Sequence, residues 1–459
     1  MFELGFVSIA FMRALFVVGL LASTACTEKN PLFCAADSEC TTGRICDVTG
    51  EFEGTSNVCI PAPDDCPIER CGCEPGESFS CDGDQLTRCA EDGKSTVIST
   101  CALGCSTESR CLAFEPSNGL GAALTLAENE PDLVLPAGTT IDTSTGTIQD
   151  AEGVLIPVTS VVIDQDGGSS IRAFLARNWI LDDLKVTGSR AFAIVAFDSI
   201  SIRGVVDASA EALQSGPGGQ ESPAVCVGNE TVEETVGCGA LGCPVVGAGG
   251  GGNATAGATG GGLTLVNVGR AGGAPIPTFV PLVGGCRGGN FSGTLPRVGG
   301  AGGGAVQLVA NSRVEISGGG IIDVGGGGGD SFAGGGSGGN IVIEAPTMIF
   351  DGSSTGVFAN GGAGGGCSLS GEDATRTLFR ALAPKCSPSS AGDGGTESSP
   401  PQPGQTKCTS GTCSFINEHQ GGGGGSAGRL LIRTGTGDFS ANGAPTLSVA
   451  ISKATLVVN

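Results

Sequence analysis

Seven aspartates, Asp164, Asp166, Asp182, Asp183, Asp198, Asp207 and Asp323, fall on or beside short segments of alternating apolar residues. Two such carboxyls at suitable separation supply the general acid and base that cleavage of a polysaccharide requires. The competing role for an Asp at the end of a short strand is to hydrogen-bond the backbone of the turn. Other chemistry is thinly supplied. His419 is the only histidine, so a catalytic triad or a histidine-based zinc centre has to be built around that one residue. Tyrosine is absent and Trp179 is the one tryptophan, which leaves few stacking platforms for sugars. The glycine runs lead into strands rather than from a strand into a helix, so they do not form phosphate loops.

Acids of this kind need a scaffold that repeats. Gly302–Ala310 runs on into Val314-Glu315-Ile316 and Ile321–Val324, and the unit returns as Gly338–Ala345 followed by Val357–Asn360. Upstream, Ser160–Asp164, Ala173–Ala176, Phe192–Ala196, Ile200–Ile202 and Val205–Asp207 read as short strands divided by turn residues. The pair around Ile194 and Ile202 matches that around Leu308 and Ile316 at a constant offset of 114 residues. Val186–Ser189 and Val206–Ser209 lie 20 residues apart, which suits one circuit of a coil. The expected fold is mainly β: a right-handed parallel β-helix with glycine-rich coils over residues 120–459, preceded by a small disulfide-rich segment.

Of the 83 glycines, 54 lie between Gly247 and Gly428, in runs that recur beside strands rather than between domains. Without a Cβ, chains can pass close to one another, so packed glycine-rich coils or extended glycine helices are expected. This part of the chain, residues 244–428, resembles the glycine-rich β-helices and polyglycine bundles of bacterial and phage surface adhesins. Gly325–Ala333 also fits the nonapeptide of calcium-binding β-rolls, which makes Asp330 the candidate calcium ligand. That family builds its sites between tandem copies, and a single copy inside a glycine run matches by composition. Three excursions, residues 210–246, 270–298 and 367–419, break the repeat and are expected to be loops on one face, with Ser399–Gly404 disordered.

The 21 cysteines indicate an oxidising compartment. Setting Cys26 aside, the other twenty form even blocks: Cys34, Cys40, Cys46, Cys59, Cys66, Cys71, Cys73, Cys81, Cys89, Cys101, Cys105 and Cys111; Cys226, Cys238, Cys243 and Cys286; and Cys367, Cys386, Cys408 and Cys413. All twenty are expected in disulfides closed within their own block, with the pairing open. Met12-Arg13 and the apolar Ala14–Ala22 have the layout of a secretory signal. The end of this stretch, Leu20–Cys26, resembles the lipobox of bacterial lipoproteins, which implies a signal over residues 1–25, a lipid on Cys26 and a tether to residue 33. Residues 34–111 then form stalk modules. Cys34–Cys46 closed by Cys59, and Cys73–Cys111, resemble cysteine modules of exported myxobacterial surface proteins, a family with no established activity to lend.

A net charge of −23 opposes nucleic acid and anionic lipid. The expected protein is therefore exported to the bacterial cell envelope, outer membrane or cell surface, and joined to the membrane through its lipid. There it serves as a structural or adhesive element for an unknown surface protein or polysaccharide, needing no cofactor beyond possible calcium. The alternative is a carboxylate-dependent polysaccharide lyase or glycoside hydrolase using the seven aspartates.

Overall fold

The computed structural model describes residues 75–93, 95–106, 109–219, 226, 246–262, 269–292, 296–385, 390–405 and 420–458, together with the backbone of strands 44–47, 58–61 and 232–233. It divides into two units, Met1–Ser80 with Leu86–Ser99, and Cys81–Gln85 with Thr100–Asn459. In the first unit, Arg44–Asp47 and Val58–Pro61 pair antiparallel with Cys46 opposite Cys59. The second unit holds the scaffold.

That scaffold is mainly β and is built on a curled parallel sheet. The long strand Ala191–Ile202 is its hinge: its first half pairs with Ala305–Ala310 and its second half with Arg313–Ser317. The partners are Ile194 with Leu308 and Ile202 with Ile316, the offset read from the sequence. Asn340–Glu344 and Arg429–Thr434 extend the first branch, while Thr347–Asp351 and Ser440–Asn442 extend the second. A second parallel sheet runs through Thr139–Asp142, Leu184–Thr187, Val205–Asp207, Ile321–Asp323, Gly356–Phe358 and Thr446–Ser448.

Each branch contributes a column of like residues to one shared core. Ile194, Leu308, Ile343 and Ile432 stack in one column, Ile202, Ile316 and Phe350 in another, and Val206, Ile322 and Val357 in the third. These side chains are closed to solvent, at roughly 1.5–3 kcal/mol for each large one. The register offset between neighbouring parallel strands varies around the 20 residues read between Val186–Ser189 and Val206–Ser209. It is 20 at Ile171–Ala191, becomes 21 after a bulge between Ala176 and Asn178, and reaches 22 where Leu184, rather than Val186, meets Val206. Thr159–Ile163 lies antiparallel on the strand Ile171–Leu181. The helix Gly121–Leu126 covers the outer face of the wall with Leu120, Ala123 and Leu124.

The glycine runs are not coils of this scaffold. They lie between strands of the sheets, and they assemble into a block of extended chains. In Ala333–Gly339 the N–H groups of Gly334 and Ser337 donate to Gly289 and Cys286, those of Gly335 and Gly338 to Gly423 and Ser426, and those of Gly336 and Gly339 to Gly327 and Val324. Every third residue thus addresses the same neighbour, the three-residue turn of a polyproline II-type helix. The run Gly422–Gly428 repeats this with the 359–366, 248–251 and 402 chains. Buried backbone groups are paired across chains instead of within a ladder. A Cβ at Gly335 would overlap the backbone of Gly362 and Ala363, so the spacing admits glycine alone there.

This arrangement corrects two expectations. Parts of the excursions 270–298 and 367–419 are chains of the block rather than surface loops: Gly257 and Gly260 donate to Gly273 and Arg270. Ser399–Gly404 is also ordered, with Gln402 donating to Asp393 at 2.9 Å and Gly404 to Thr259 at 3.0 Å. Pro401 and Pro403 fix the φ that this extended conformation needs, so proline here favours the packed state.

Candidate functional site

The second sheet brings two of the seven aspartates together. Asp207 and Asp323 are register partners on adjacent strands, and Lys185 precedes Asp207 in the same column. Strand alternation alone places them there, because Val206 and Ile322 face the core and their successors face away. Arg376, from the excursion after Cys367, closes over the pair: its Nε lies 2.7 Å from Asp323 Oδ2 and an Nη 2.8 Å from Asp207 Oδ2. Lys185 Nζ lies 3.2 Å from Asp207 and 2.8 Å from Glu211. The remaining oxygens are occupied as well. Asp207 Oδ1 accepts from Ser209 Oγ at 2.6 Å, and Asp323 Oδ1 accepts from the Gly325 N–H at 2.9 Å.

The two carboxyls titrate in opposite directions. Burial opposes ionisation of Asp207, but hydrogen bonds from Ser209 and the Lys185 and Arg376 charges outweigh it and lower the pKa. Asp323 is more deeply enclosed, and burial pushes its carboxyl up; Arg376 offsets this only in part, and the Asp207 charge adds to it. Burial likewise works against the Arg376 and Lys185 cations, yet their carboxylate partners hold both above their ordinary values. Three acids and two bases thus form one nearly neutral cluster, with Asp323 only 4% exposed.

The excursion carrying Arg376 is fastened at several further points. Asn360 Nδ2 donates to the carbonyls of Thr375 and Thr377 at 2.8 and 2.7 Å. Asp373 Oδ1 accepts from the N–H groups of Ala212 and Gly328, and Lys385 pairs with Asp393 at 2.5 Å. Between these anchors the loop turns Leu378, Phe379 and Leu382 outward.

The other acids take structural positions. Asp183 Oδ1 accepts from the Val205 N–H at 2.8 Å, while Asp182 and Asp198 pair with Arg203 and Arg177 at the surface. Asp164 and Asp166 are exposed on the turn after the antiparallel strand. Asp330 faces Arg297 at 3.3 Å and accepts from the Ser331 N–H; among the described residues no cluster of three metal-ligating side chains forms. A second polar node, absent from the sequence reading, joins Glu344 to Arg433, Gln307 and Ser117 beneath the outer cover.

Disulfides join Cys81 to Cys105, Cys101 to Cys111 and Cys226 to Cys286, each within one sequence block, and Cys89 and Cys367 are also bridged. Cys26, His419, Cys34, Cys40, Cys66, Cys71, Cys73, Cys238, Cys243, Cys386, Cys408 and Cys413 lie outside the described residues. Comparisons with protein-family models, with curated proteins and with solved structures return no match.

Proposed function

We propose that this chain is an exported structural or adhesive protein of the bacterial envelope. In this reading a right-handed parallel β-helix and its glycine block are a rigid support that displays crosslinked loops to a surface protein or polysaccharide. The parallel strands and recurring core columns support the helix, and its hand follows the rule for parallel crossovers. The observation that carries the functional reading is the closure of Asp207 and Asp323 by Arg376. The acids are spent on holding a loop whose outer side is apolar. Residues 1–25 act as the export signal, Cys26 carries the lipid, and the cysteine modules lift the scaffold off the membrane. Replacing Cys26 with Ser is expected to move the protein from the membrane fraction to the soluble exported fraction; detergent-dependent fractionation of that variant would refute anchoring there.

One observation favours the enzyme reading. Two acids on adjacent strands with pKa values pushed apart are the arrangement that divides acid and base roles. It requires Arg376 to leave the pair, so that a sugar can reach it.

A further inference from the structure

Arg172 lies second in the strand Ile171–Leu181, and Arg190 directly precedes that strand's parallel partner, Ala191–Ile202. Both are half-buried and reach the turn that follows Thr139–Asp142. The Thr143 carbonyl accepts from Arg172 Nε at 3.3 Å and from Arg190 Nη1 at 3.4 Å. The Ser144 carbonyl accepts from Arg172 Nη2 at 3.3 Å and again from Arg190 Nη1. Ser170 Oγ accepts from Arg190 Nε at 3.1 Å and so fixes the second guanidinium. Two cations thus converge on the same two acceptors. One guanidinium would satisfy both carbonyls, so the second brings a like charge that the backbone does not require.

That charge has no carboxylate seated on it. Arg177 and Arg203 pair with Asp198 and Asp182, whereas among the described residues neither Arg172 nor Arg190 makes an ion pair. Asp142, the acid whose charge reaches Arg172, has both oxygens engaged: Oδ1 accepts from the Ser144 N–H at 2.8 Å and Oδ2 from the Thr145 hydroxyl at 3.0 Å. Burial and the Arg190 charge hold Arg172 below its ordinary pKa, and Asp142 offsets this only in part. Arg190 Nη2 donates to no described group. Around the turn stand short hydroxyls, with Ser144 Oγ 3.2 Å from Ser189 Oγ and Thr145 Oγ1 2.8 Å from Thr147 Oγ1. A guanidinium fork matches the paired oxygens of a carboxylate or sulfate, and hydroxyls exchange hydrogen bonds with those of a sugar ring. The geometry points to an oxyanion site at Arg172 and Arg190 that takes the carboxylate or sulfate of an acidic polysaccharide. The site lies outside the cysteine-bearing excursions to which the display reading assigns the partner, so either can fail without the other.

Calorimetric titration of the full chain tests this with dextran, carboxymethyl-dextran and dextran sulfate of equal length, and with sodium sulfate as the free anion. At about 0.15 M salt the repulsion from a net charge of −23 is screened beyond about 8 Å, which leaves the local contact. Both charged dextrans are expected to bind, dextran not to bind, and sodium sulfate to compete. Arg190→Gln, which keeps an amide donor but removes the charge and the fork, should weaken binding by about 10-fold or more. Arg177→Gln removes the same charge from an ion-paired arginine and should leave affinity within about twofold. Saturating carboxymethyl-dextran should also raise the wild-type urea midpoint while dextran leaves it unchanged, a readout that needs no variant. Equal behaviour of charged and neutral dextrans, undiminished binding by Arg190→Gln, or an equal loss in Arg177→Gln would overturn the inference. Binding of sodium sulfate without either charged polymer would overturn the polysaccharide assignment and give the site to a free anion.

Discussion

Arg376 decides the character of the acidic pair. It is the cation between two carboxylates that share one strand register, and its removal leaves the buried Asp323 with the Gly325 N–H but without its counter-charge. Arg376→Ala is expected to cost about 2–3 kcal/mol in urea unfolding, discounted below the range for a broken fully buried pair because the guanidinium is partly exposed. Adding Asp323→Asn should recover most of that loss, since no buried charge remains. The pH dependence separates the two acids. The lowered pKa of Asp207 contributes stability that is complete above the ordinary aspartate range and is lost as pH falls through the folded value; the raised pKa of Asp323 is a cost at neutral pH, relieved as pH falls through its folded value. Asp207→Asn should therefore destabilise more than Asp323→Asn at pH 7, and its deficit should close on acidification, read from urea midpoints across pH. Both aspartates were legible because they end alternating strands. Arg376 was not, because it lies in an irregular excursion 53 residues from Asp323, where no period announces a partner.

At the scale of elements, the chain uses two ways of pairing its backbone. The strands were legible from β-branched alternation, and the offset between residues 194–202 and 308–316 survives in the register because both segments feed the same core columns. The 20-residue spacing read at Val186 is two short, because a bulge between Ala176 and Asn178 adds one residue and the turn between Leu181–Leu184 and Ile202–Val206 adds another, neither altering the apolar pattern on either side. The glycine chains pose a different problem: composition announces close approach but carries no periodicity to say which chain neighbours which. The geometry makes a sharp forecast. Gly335→Ala sets a methyl against the Gly362 backbone inside the block, where no rotamer change relieves the overlap, and should cost about 3 kcal/mol or prevent assembly. Gly435→Ala is the matched control. Its added Cβ meets the end of Leu103 at 3.1 Å, and that side chain can turn aside, so thermal unfolding should shift by no more than a few degrees.

At the scale of the molecule, the proposed function has the scaffold display loops. The described parts of the excursions are integrated into the support by backbone hydrogen bonds, and the acid pair is closed by the loop it supports. A display protein gains from such closure, because a loop held by Arg376, Asn360 and Lys385 meets its partner already ordered. An enzyme would need the same acids accessible to a sugar. The most direct measurement incubates the full chain with a panel of neutral and acidic polysaccharides, with calcium present, and counts new chain ends. No release from any of them is predicted for the wild type. Release that disappears in Asp207→Asn or Asp323→Asn would contradict the account and place a catalytic centre beneath Arg376.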